Sequence, residues 1–263
     1  MNKQAIGIFD SGVGGLSVWK ELIKVLPNEN MIYYADSGNC PYGAKSQQDI
    51  ISLSKNIVDF FISKNVKLVV VACNTATAAA IEYLRSNYDI PFIGMEPAIK
   101  PAAKNTENGI VGVLATEGTF GGRLFLETSE KWASNVKIEI LVGKGFVELV
   151  EDADFDSKKC NNTIKRVIEP LLEKNIDQLV LACTHYPFLC DSIKKITKNN
   201  NIEIINPAPA VARHTFNILK EKSILNKNQK QAHYQFFSSG NLKTLELLVH
   251  QINSDINSCF DTL

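Results

Sequence analysis

The feature that most constrains how this chain can fold is a repeated pattern, in which an apolar run ends on a cysteine and small polar residues. The segment LVVVACNT (68–75) recurs as QLVLACTH (178–185), which places Cys73 and Cys183 at equivalent positions 110 residues apart. Short apolar runs resemble one another by chance, so this match alone says little. It raises the question whether two parts of the chain have related structures.

A second match strengthens that interpretation. The segment IGIFDSG (6–12) resembles VGVLATEG (111–118), and it places Ser11 over Thr116 at an offset of 105 residues. Both matches occur in the same order along the chain, and their offsets nearly agree. Together they predict two related α/β units.

Apolar runs of strand length alternate with helical patterns such as 15–26 and 46–63. The predicted strands are 5–9, 31–35, 67–72, 90–94, 109–114, 137–142, 177–182, 202–205 and 232–238. This alternation predicts an α/β fold with two pseudo-symmetric open domains and mostly parallel sheets. Because ligands of open α/β sheets bind beyond the carboxyl ends of the strands, we expect the active site in the cleft between the domains.

The domain boundaries are predicted in two proline-containing segments, GMEPAIKPA and INPAPAV. The first domain is then residues 1–97 plus 209–263 and carries Cys73, and the second is residues 98–208 and carries Cys183.

Composition excludes some classes of partner. Lys+Arg and Asp+Glu are both 28, so the chain has no net charge that would favour nucleic acid or an anionic membrane. No apolar run approaches the roughly 20 residues of a membrane-spanning helix, and the N-terminus passes directly into the first predicted strand. The six cysteines form no CxxC pair. We therefore expect a cytoplasmic protein with reduced thiols and no membrane partner.

Cys73 and Cys183 are the first candidates for chemistry. A free cysteine at the end of a strand is commonly a small buried hydrophobe. Here both cysteines end an apolar strand and precede polar residues that start a helix, and Asn74 or Thr75 is predicted to cap the first of these helices. A helix N-terminus stabilises the reactive thiolate. A redox disulfide between the two cysteines stays open as an alternative.

The glycine cluster in FDSGVGGLS (9–17) permits several interpretations. It resembles a dinucleotide fingerprint, with Asp36 as the acid that binds the ribose, but Ser17 stands where the third glycine is required. Asp10 would also lie awkwardly close to a pyrophosphate. A carboxylate and amide nest for a zwitterionic ligand is the alternative, and a simple tight turn is the plainest one.

Two further elements have both a structural and a functional interpretation. The turn NCPYGAKS (39–46) would present the hydroxyl of Tyr42 and the backbone of Gly43 to a ligand, or it is an ordinary surface turn. His185 follows Cys183 by two residues, so it would donate to a carboxylate or tune the thiol, although a single histidine is usually structural. The sequence contains no metal-ligand spacing.

Taken together, these motifs resemble the cofactor-independent aspartate/glutamate racemase superfamily, and within it the glutamate racemases. The matching segments follow the family order along nearly the whole chain: FDSGVGGLSV (9–18), YYADSGNCPYG (33–43), VACNTATA (71–78), GMEP (94–97), ATEGT (115–119), LACTHYP (181–187) and SSG (238–240).

The resemblance implies racemisation of glutamate without pyridoxal phosphate or metal, by two cysteines on opposite faces of the substrate. Cys73 would deprotonate D-glutamate and Cys183 would deprotonate L-glutamate. The resemblance places Asp10 near Cys73, and it places His185, with Glu151 as its carboxylate partner, near Cys183. It also implies a homodimer that supplies D-glutamate for peptidoglycan synthesis. The implied substrate-binding residues are Asp10, Ser11, Tyr42, Gly43, Asn74, Thr75, Thr116, Thr184 and His185.

The chain departs from the family pattern around the proposed glutamate. The family reads Cys-Pro-x-Phe-Val-Pro-Leu-Val-Glu, whereas this chain has GKGFVELVE (143–151). The register favours Glu151 as the family glutamate, and Glu148 is its competitor.

Other functions stay open at this point. The nearest is racemisation of another acidic amino acid, such as aspartate, since the sequence does not measure the size of the cleft. A nucleotide-binding oxidoreductase is disfavoured by the incomplete glycine fingerprint, and a thiol redox protein is disfavoured by the lack of CxxC.

Overall fold

The computed structural model describes residues 4–96, 98–120, 123–133, 135–198, 200–227 and 231–262. The strands within them are β1 Ile6–Asp10, β2 Met31–Ala35, β3 Leu68–Val71, β4 Phe92–Gly94, β5 Ile110–Ala115, β6 Lys137–Val142, β7 Gln178–Ala182, β8 Glu203–Ile205, β9 Tyr234–Ser238 and β10 Ser258–Thr262. The helices are α1 Leu16–Val25, α2 Gln47–Ser63, α3 Asn74–Asn87, α4 Ile99–Asn105, α5 Glu117–Phe120, α6 Arg123–Trp132, α7 Phe146–Glu151, α8 Lys158–Leu172, α9 Cys190–Thr197, α10 Ala208–Glu221 and α11 Leu242–Ile252.

The strands form two sheets, and each pair of neighbouring strands is parallel. The first sheet has the order β10-β9-β2-β1-β3-β4, and the second has the order β6-β5-β7-β8. Helices connect most successive strands, because parallel neighbours need a crossover. The predicted α/β class with mostly parallel sheets is confirmed.

The internal repeat is visible in the strand register. In the first sheet Ile6 pairs with Leu68, and in the second Val111 pairs with Gln178. These are the starting residues of the matched sequence segments. The order β2-β1-β3-β4 also corresponds strand for strand to β6-β5-β7-β8. The two sheets are therefore built on one plan, as the repeat predicts.

The central strands are buried along their whole length. Every residue of β1, β3 and β7 is buried, which is typical of parallel sheets with both faces covered by helices. Trp19 of α1 packs edge-on against Phe236 of β9, with ring centroids 5.2 Å apart. This contact packs α1 against the first sheet.

Some features were not predicted. The strand β10, with the sequence SCFDT, is short and partly exposed at the sheet edge, so it lacks the apolar run of a buried strand. The polar segment NKNQKQ (226–231) is predicted from the sequence to be an exposed loop, and its residues 228–230 lie outside the described residues.

The division into two domains stays a prediction. Each sheet takes its strands from one of the two predicted domains. In the described part of the chain, no helix combines the length and the apolar character that crossing a membrane requires.

Candidate active site

The candidate residues meet at the carboxyl ends of the central strands. Asp10 is the last residue of β1, Thr116 follows β5, and Cys183 follows β7 directly. Cys73 lies two residues beyond β3. Because neighbouring parallel strands end at the same edge of a sheet, each unit contributes one cysteine at an equivalent strand tip.

Cys73 itself caps helix α3. Its Sγ accepts a hydrogen bond from the backbone N–H of Ala76 at 3.4 Å. The prediction that Asn74 or Thr75 caps this helix is therefore wrong, because the helix begins one residue earlier than expected. The thiol also donates to the Oγ of Ser11 at 3.8 Å.

In the ligand-free protein, the thiol of Cys73 stays protonated. Burial, and then the charge of Asp10, raise its pKa to about 12, although the Ala76 and Ser11 contacts act in the opposite direction. The helix N-terminus favours the thiolate, as expected, through the N–H of Ala76, but burial and Asp10 outweigh this contribution in the ligand-free protein.

Asp10 links the two repeat units. Its Oδ2 accepts a hydrogen bond from the hydroxyl of Thr184 at 2.6 Å, and its Oδ1 accepts one from the N–H of Gly12 at 2.8 Å. Burial raises the pKa of Asp10 to about 6, and the charge of His185 is the main opposing influence. The carboxyl group is thus poised to titrate just below neutral pH.

The Cys183 side carries a histidine and a carboxylate. The ring Nδ1 of His185 lies 3.8 Å from the Sγ of Cys183, and its Nε2 lies 2.7 Å from Oε1 of Glu151. Oε1 also accepts the N–H of Val13 at 2.7 Å. Glu148 is exposed, so the structure places Glu151 beside His185, in agreement with the register.

The histidine and the glutamate support each other's charge. Burial alone would lower the pKa of His185, but the thiols and carboxylates around the ring raise it well above its ordinary value. Burial alone would raise the pKa of Glu151, yet the bond to His185 holds it below its ordinary value. The pair is therefore an imidazolium–carboxylate at neutral pH.

The glycine cluster after β1 serves close packing between the repeat units. A Cβ added to Gly12 would overlap the carboxylate of Glu151, and one added to Gly14 would overlap the ring of His185. The incomplete dinucleotide fingerprint is explained by this packing, because these glycines admit side chains from the second unit.

A cluster of hydroxyl groups lies on the other side of the site. Thr75 and Thr116 are hydrogen-bonded through their Oγ1 atoms at 2.8 Å, and Thr119 lies 3.0 Å from Thr116. Gly43 packs against Thr116, where an added Cβ would lie 3.1 Å from the threonine Cβ. Neither amide atom of buried Asn74 has a hydrogen-bond partner within the described residues, so both are available to a ligand.

Tyr42 is positioned differently from the sequence expectation. Its hydroxyl donates to Oδ2 of Asp36 at 2.5 Å, and Asn39 and Ser239 donate to the other oxygen of the same carboxylate. The hydroxyl is therefore engaged in holding the loop after β2. Asp36, considered above as a ribose ligand, anchors this loop.

Sequence reasoning did not assign Cys40, Ser37 or Thr119 to the site. The thiol of Cys40 contacts His185, and the hydroxyl of Ser37 lies 3.3 Å from Glu151. All three residues follow the carboxyl end of β2 or β5. This position is the sequence signal that could have identified them, since loops at the carboxyl ends of parallel strands surround the ligand site.

Comparison with known proteins agrees with this arrangement. Residues 6–215 match the model of the family described as Asp/Glu/Hydantoin racemase. The chain is 43% identical to a glutamate racemase of Herpetosiphon aurantiacus, over 91% of this chain and 94% of that protein. It is 41% identical to a glutamate racemase of Deinococcus radiodurans, over 93% and 84% of the two chains.

Solved structures give the same result. Glutamate racemase isoform RacE1 of Bacillus anthracis has a TM-score of 0.89 at 32% identity, covering 100% of this chain and 98% of that one. The glutamate racemase of Francisella tularensis, solved in complex with D-glutamate, has a TM-score of 0.85 at 28% identity, covering 100% and 98%. The chain thus belongs to the Asp/Glu/hydantoin racemase family.

Proposed function

We propose that the protein is a glutamate racemase, which interconverts L- and D-glutamate without a cofactor by means of two cysteines. The observation that carries this proposal is the pair Cys73 and Cys183 at equivalent strand tips of two related units. Relatives that cover most of this chain are glutamate racemases. The Escherichia coli enzyme was solved with L-glutamate, and the Francisella enzyme with D-glutamate.

The reaction requires a base on one face of the substrate and an acid on the other. For D-glutamate, the thiolate of Cys73 takes the α-proton, so that an S–H bond replaces the C–H bond and a planar carbanion forms. The thiol of Cys183 then gives its proton to the opposite face and becomes the thiolate. The reverse sequence converts L-glutamate.

Substrate binding supplies the charge that Cys73 lacks. The negative charge of Asp10 opposes thiolate formation in the ligand-free protein. The ammonium group of glutamate beside Asp10 would compensate that charge and lower the pKa of the thiol, since an opposite charge nearby favours the ionised form. Asp10 thereby acts as the ammonium partner of the substrate.

The positive charge beside the second thiol belongs to the protein itself. The imidazolium of His185 lies beside Cys183, and Glu151 keeps the ring charged and oriented. The two cysteines thus receive their positive charge from different sources.

The remaining residues offer donors for the two carboxylates of glutamate. Asn74 has an amide without a partner within the described residues, and the hydroxyl groups of Thr75 and Thr116 lie at the same strand tips. Preorganised donors of this kind stabilise charge that develops in the transition state. The hydroxyl groups of Ser11 and Thr184 donate to Asp10 and position the ammonium partner. Gly43 contributes backbone groups, and Tyr42 holds the loop that carries them.

The proposal extends to the biological role. D-glutamate made in this way would supply peptidoglycan synthesis in the cytoplasm, and the active form would be a homodimer. These statements follow from the family resemblance.

The test is a chiral assay in deuterium oxide with no cofactor added. Both enantiomers of glutamate should racemise and acquire deuterium at the α-carbon, and both enantiomers of aspartate should react far more slowly. Replacement of either catalytic cysteine, in Cys73→Ala or Cys183→Ala, should lower the rate by at least the roughly 10²–10⁴-fold that general acid–base catalysis contributes.

Exposed Cys259 provides the matched control, since Cys259→Ala should retain the wild-type rate. Preferential exchange with aspartate would favour the alternative substrate. No exchange with any acidic amino acid would contradict the racemase proposal.

A further inference from the structure

Three potential metal ligands from separate parts of the chain converge behind the Cys183 side of the site. They are the thiol of Cys40 from the loop after β2, a carboxylate oxygen of Glu151 at the end of α7, and a ring nitrogen of His185 after β7. The three ligand atoms lie within 4.8 Å of one another. No other group of this kind, with three or more Cys, His, Asp or Glu ligands, occurs in the described residues.

The donor set suits a borderline-soft divalent cation. Zinc binds sulfur at about 2.3 Å and nitrogen or oxygen at about 2.0–2.2 Å in a tetrahedron, so its ligands lie about 3.3–3.6 Å apart. His185 Nε2 and Glu151 Oε1 are 2.7 Å apart, which is closer than two zinc ligands would be. The largest separation in the cluster is no more than 4.8 Å. Small side-chain rotations would therefore complete a three-ligand site, and a water molecule would occupy the fourth position.

The three ligands differ in their exposure to solvent. The side chain of Glu151 is 20% exposed and Cys40 is half-buried, whereas the side chain of His185 is 3% exposed. The buried histidine gives the site a fixed ligand, and the two outer side chains can adjust around an incoming ion. Cys40 packs against the hydrophobic core and its thiol contacts His185, so it is placed where it can serve as the third ligand.

We propose that Cys40, Glu151 and His185 form a zinc site, and that zinc bound there inhibits racemisation. The inhibitory effect rests on the proposed function. Zinc would take the ring nitrogen and the carboxylate that otherwise bind each other, so the imidazole ring, which lies 3.8 Å from the Sγ of Cys183, would be pulled out of its working position. Inhibition would not require zinc to contact either catalytic thiol.

The experiment measures zinc binding and activity separately. Protein freed of metal with a chelator is dialysed against ZnCl₂, and zinc per chain is determined at equilibrium together with the racemisation rate. We expect one zinc per chain, a parallel loss of activity and recovery with EDTA. MgCl₂ should have no effect, because magnesium prefers oxygen ligands.

The variants Cys40→Ser and Cys40→Ala identify the site. Each substitution should weaken zinc binding at least about 10-fold, since loss of even a supporting group around a metal lowers the affinity that much. The inhibition of each variant should be expressed relative to its own rate without zinc. The control is Cys259→Ser, because Cys259 forms an exposed pair with His233 at 3.9 Å and should not alter the high-affinity binding.

Unchanged zinc affinity in folded Cys40→Ser and Cys40→Ala would overturn the proposal. Loss of zinc binding in Cys73→Ala with no loss in the Cys40 variants would assign the metal to the catalytic thiols and would also overturn it. Zinc stoichiometry does not depend on racemisation, so failure of the proposed function and failure of the zinc site give different results.

Discussion

The two strand tips that carry Cys73 and Cys183 have the same backbone plan but different chemistry. Cys73 lies beside a buried carboxyl group, Asp10, and caps helix α3. Cys183 lies beside the imidazolium of His185, which Glu151 holds in place. One thiol therefore has a negative neighbour and the other a positive one.

The difference teaches that the repeat fixes where the thiols lie but not how each becomes reactive. In the proposed mechanism the Cys183 side carries its own cation, whereas the Cys73 side depends on a cation that arrives with the substrate. The loops that follow equivalent strands also differ between the two units. After β2 the loop with Tyr42 and Gly43 lines the site, and after β6 the chain turns directly into α7, which carries Glu151.

The largest effect is expected when each thiol is replaced by a hydroxyl. Cys73→Ser and Cys183→Ser should each lower kcat/KM by about 10²–10⁴-fold, equally in both directions because the enantiomers have equal free energy. Deuterium at the α-carbon should slow D-glutamate more in Cys73→Ser and L-glutamate more in Cys183→Ser. Identical isotope effects in the two variants would show that the two sides do not act as separate bases.

A smaller loss should follow when only the support of His185 is removed. Glu151→Gln takes away a charged partner worth about 1.5–3 kcal/mol, so kcat should fall about 10- to 100-fold. Glu148→Gln is the matched control on the same helix, and because Glu148 is exposed its rate should change less than about 2-fold. Steady-state kinetics compares the two, and an equal or larger loss in Glu148→Gln would contradict the assignment of Glu151.

The variant Asp10→Asn tests whether burying the carboxyl group beside Cys73 makes the stability of the fold depend on pH. The pKa of Asp10 rises on folding from 3.8 to about 6, so the folded state holds this proton more tightly than the unfolded chain does. The associated stability is present below about pH 4 and is lost as the pH rises through about 6, amounting to about 3 kcal/mol. The variant should therefore unfold at a higher temperature than the wild type at pH 7.5, but not at pH 4.

Activity should change in the opposite direction. Wild-type kcat/KM should fall as the pH drops through about 6, because protonated Asp10 no longer binds the substrate ammonium group. The Asp10→Asn variant should be slow and should lack this acid limb. A pH profile that keeps the limb in the variant would assign it to another group.

The smallest effect concerns the loop that only the Cys73 side possesses. Tyr42→Phe removes one of three donors to buried Asp36, so the free energy of unfolding should fall by about 1–3 kcal/mol. Tyr88→Phe is the control, because Tyr88 also donates to a carboxylate, that of Asp59 at 2.6 Å, but in an exposed setting. Its loss should be under about 0.5 kcal/mol. Equal losses in urea unfolding would contradict the anchoring role of Asp36.

Much of the fold could be predicted from the sequence because the signals are local. The strands 31–35 and 137–142 have the predicted limits, since apolar runs with flanking polar residues define them. The strand β10 has no such run, because it is an exposed edge strand. Residue type predicts Asn74 or Thr75 as the cap of α3, because Asn and Thr commonly cap helices, whereas the thiol of Cys73 accepts that hydrogen bond.

The contacts within the candidate site could be predicted only in part. The repeat places both thiols at strand tips, but bonds such as Asp10 to Thr184 and Val13 to Glu151 join the two units. Their formation depends on how the sheets are placed relative to each other, which no local pattern encodes. For the same reason the glycines of the first loop resembled a nucleotide motif, although they make room for side chains more than 100 positions away.

The shared strand register also has a consequence in terms of symmetry. Two units made of L-amino acids can be related by a rotation but never by a mirror. The two faces of a planar carbanion with three different substituents, however, are related only by a mirror, and any rotation that exchanges the faces also exchanges substituents. A perfectly symmetric pocket would therefore misplace one carboxylate. If the proposed mechanism holds, the repeat partners Asn74 and Thr184, or Thr75 and His185, must differ for one bound substrate to meet a thiol on each face.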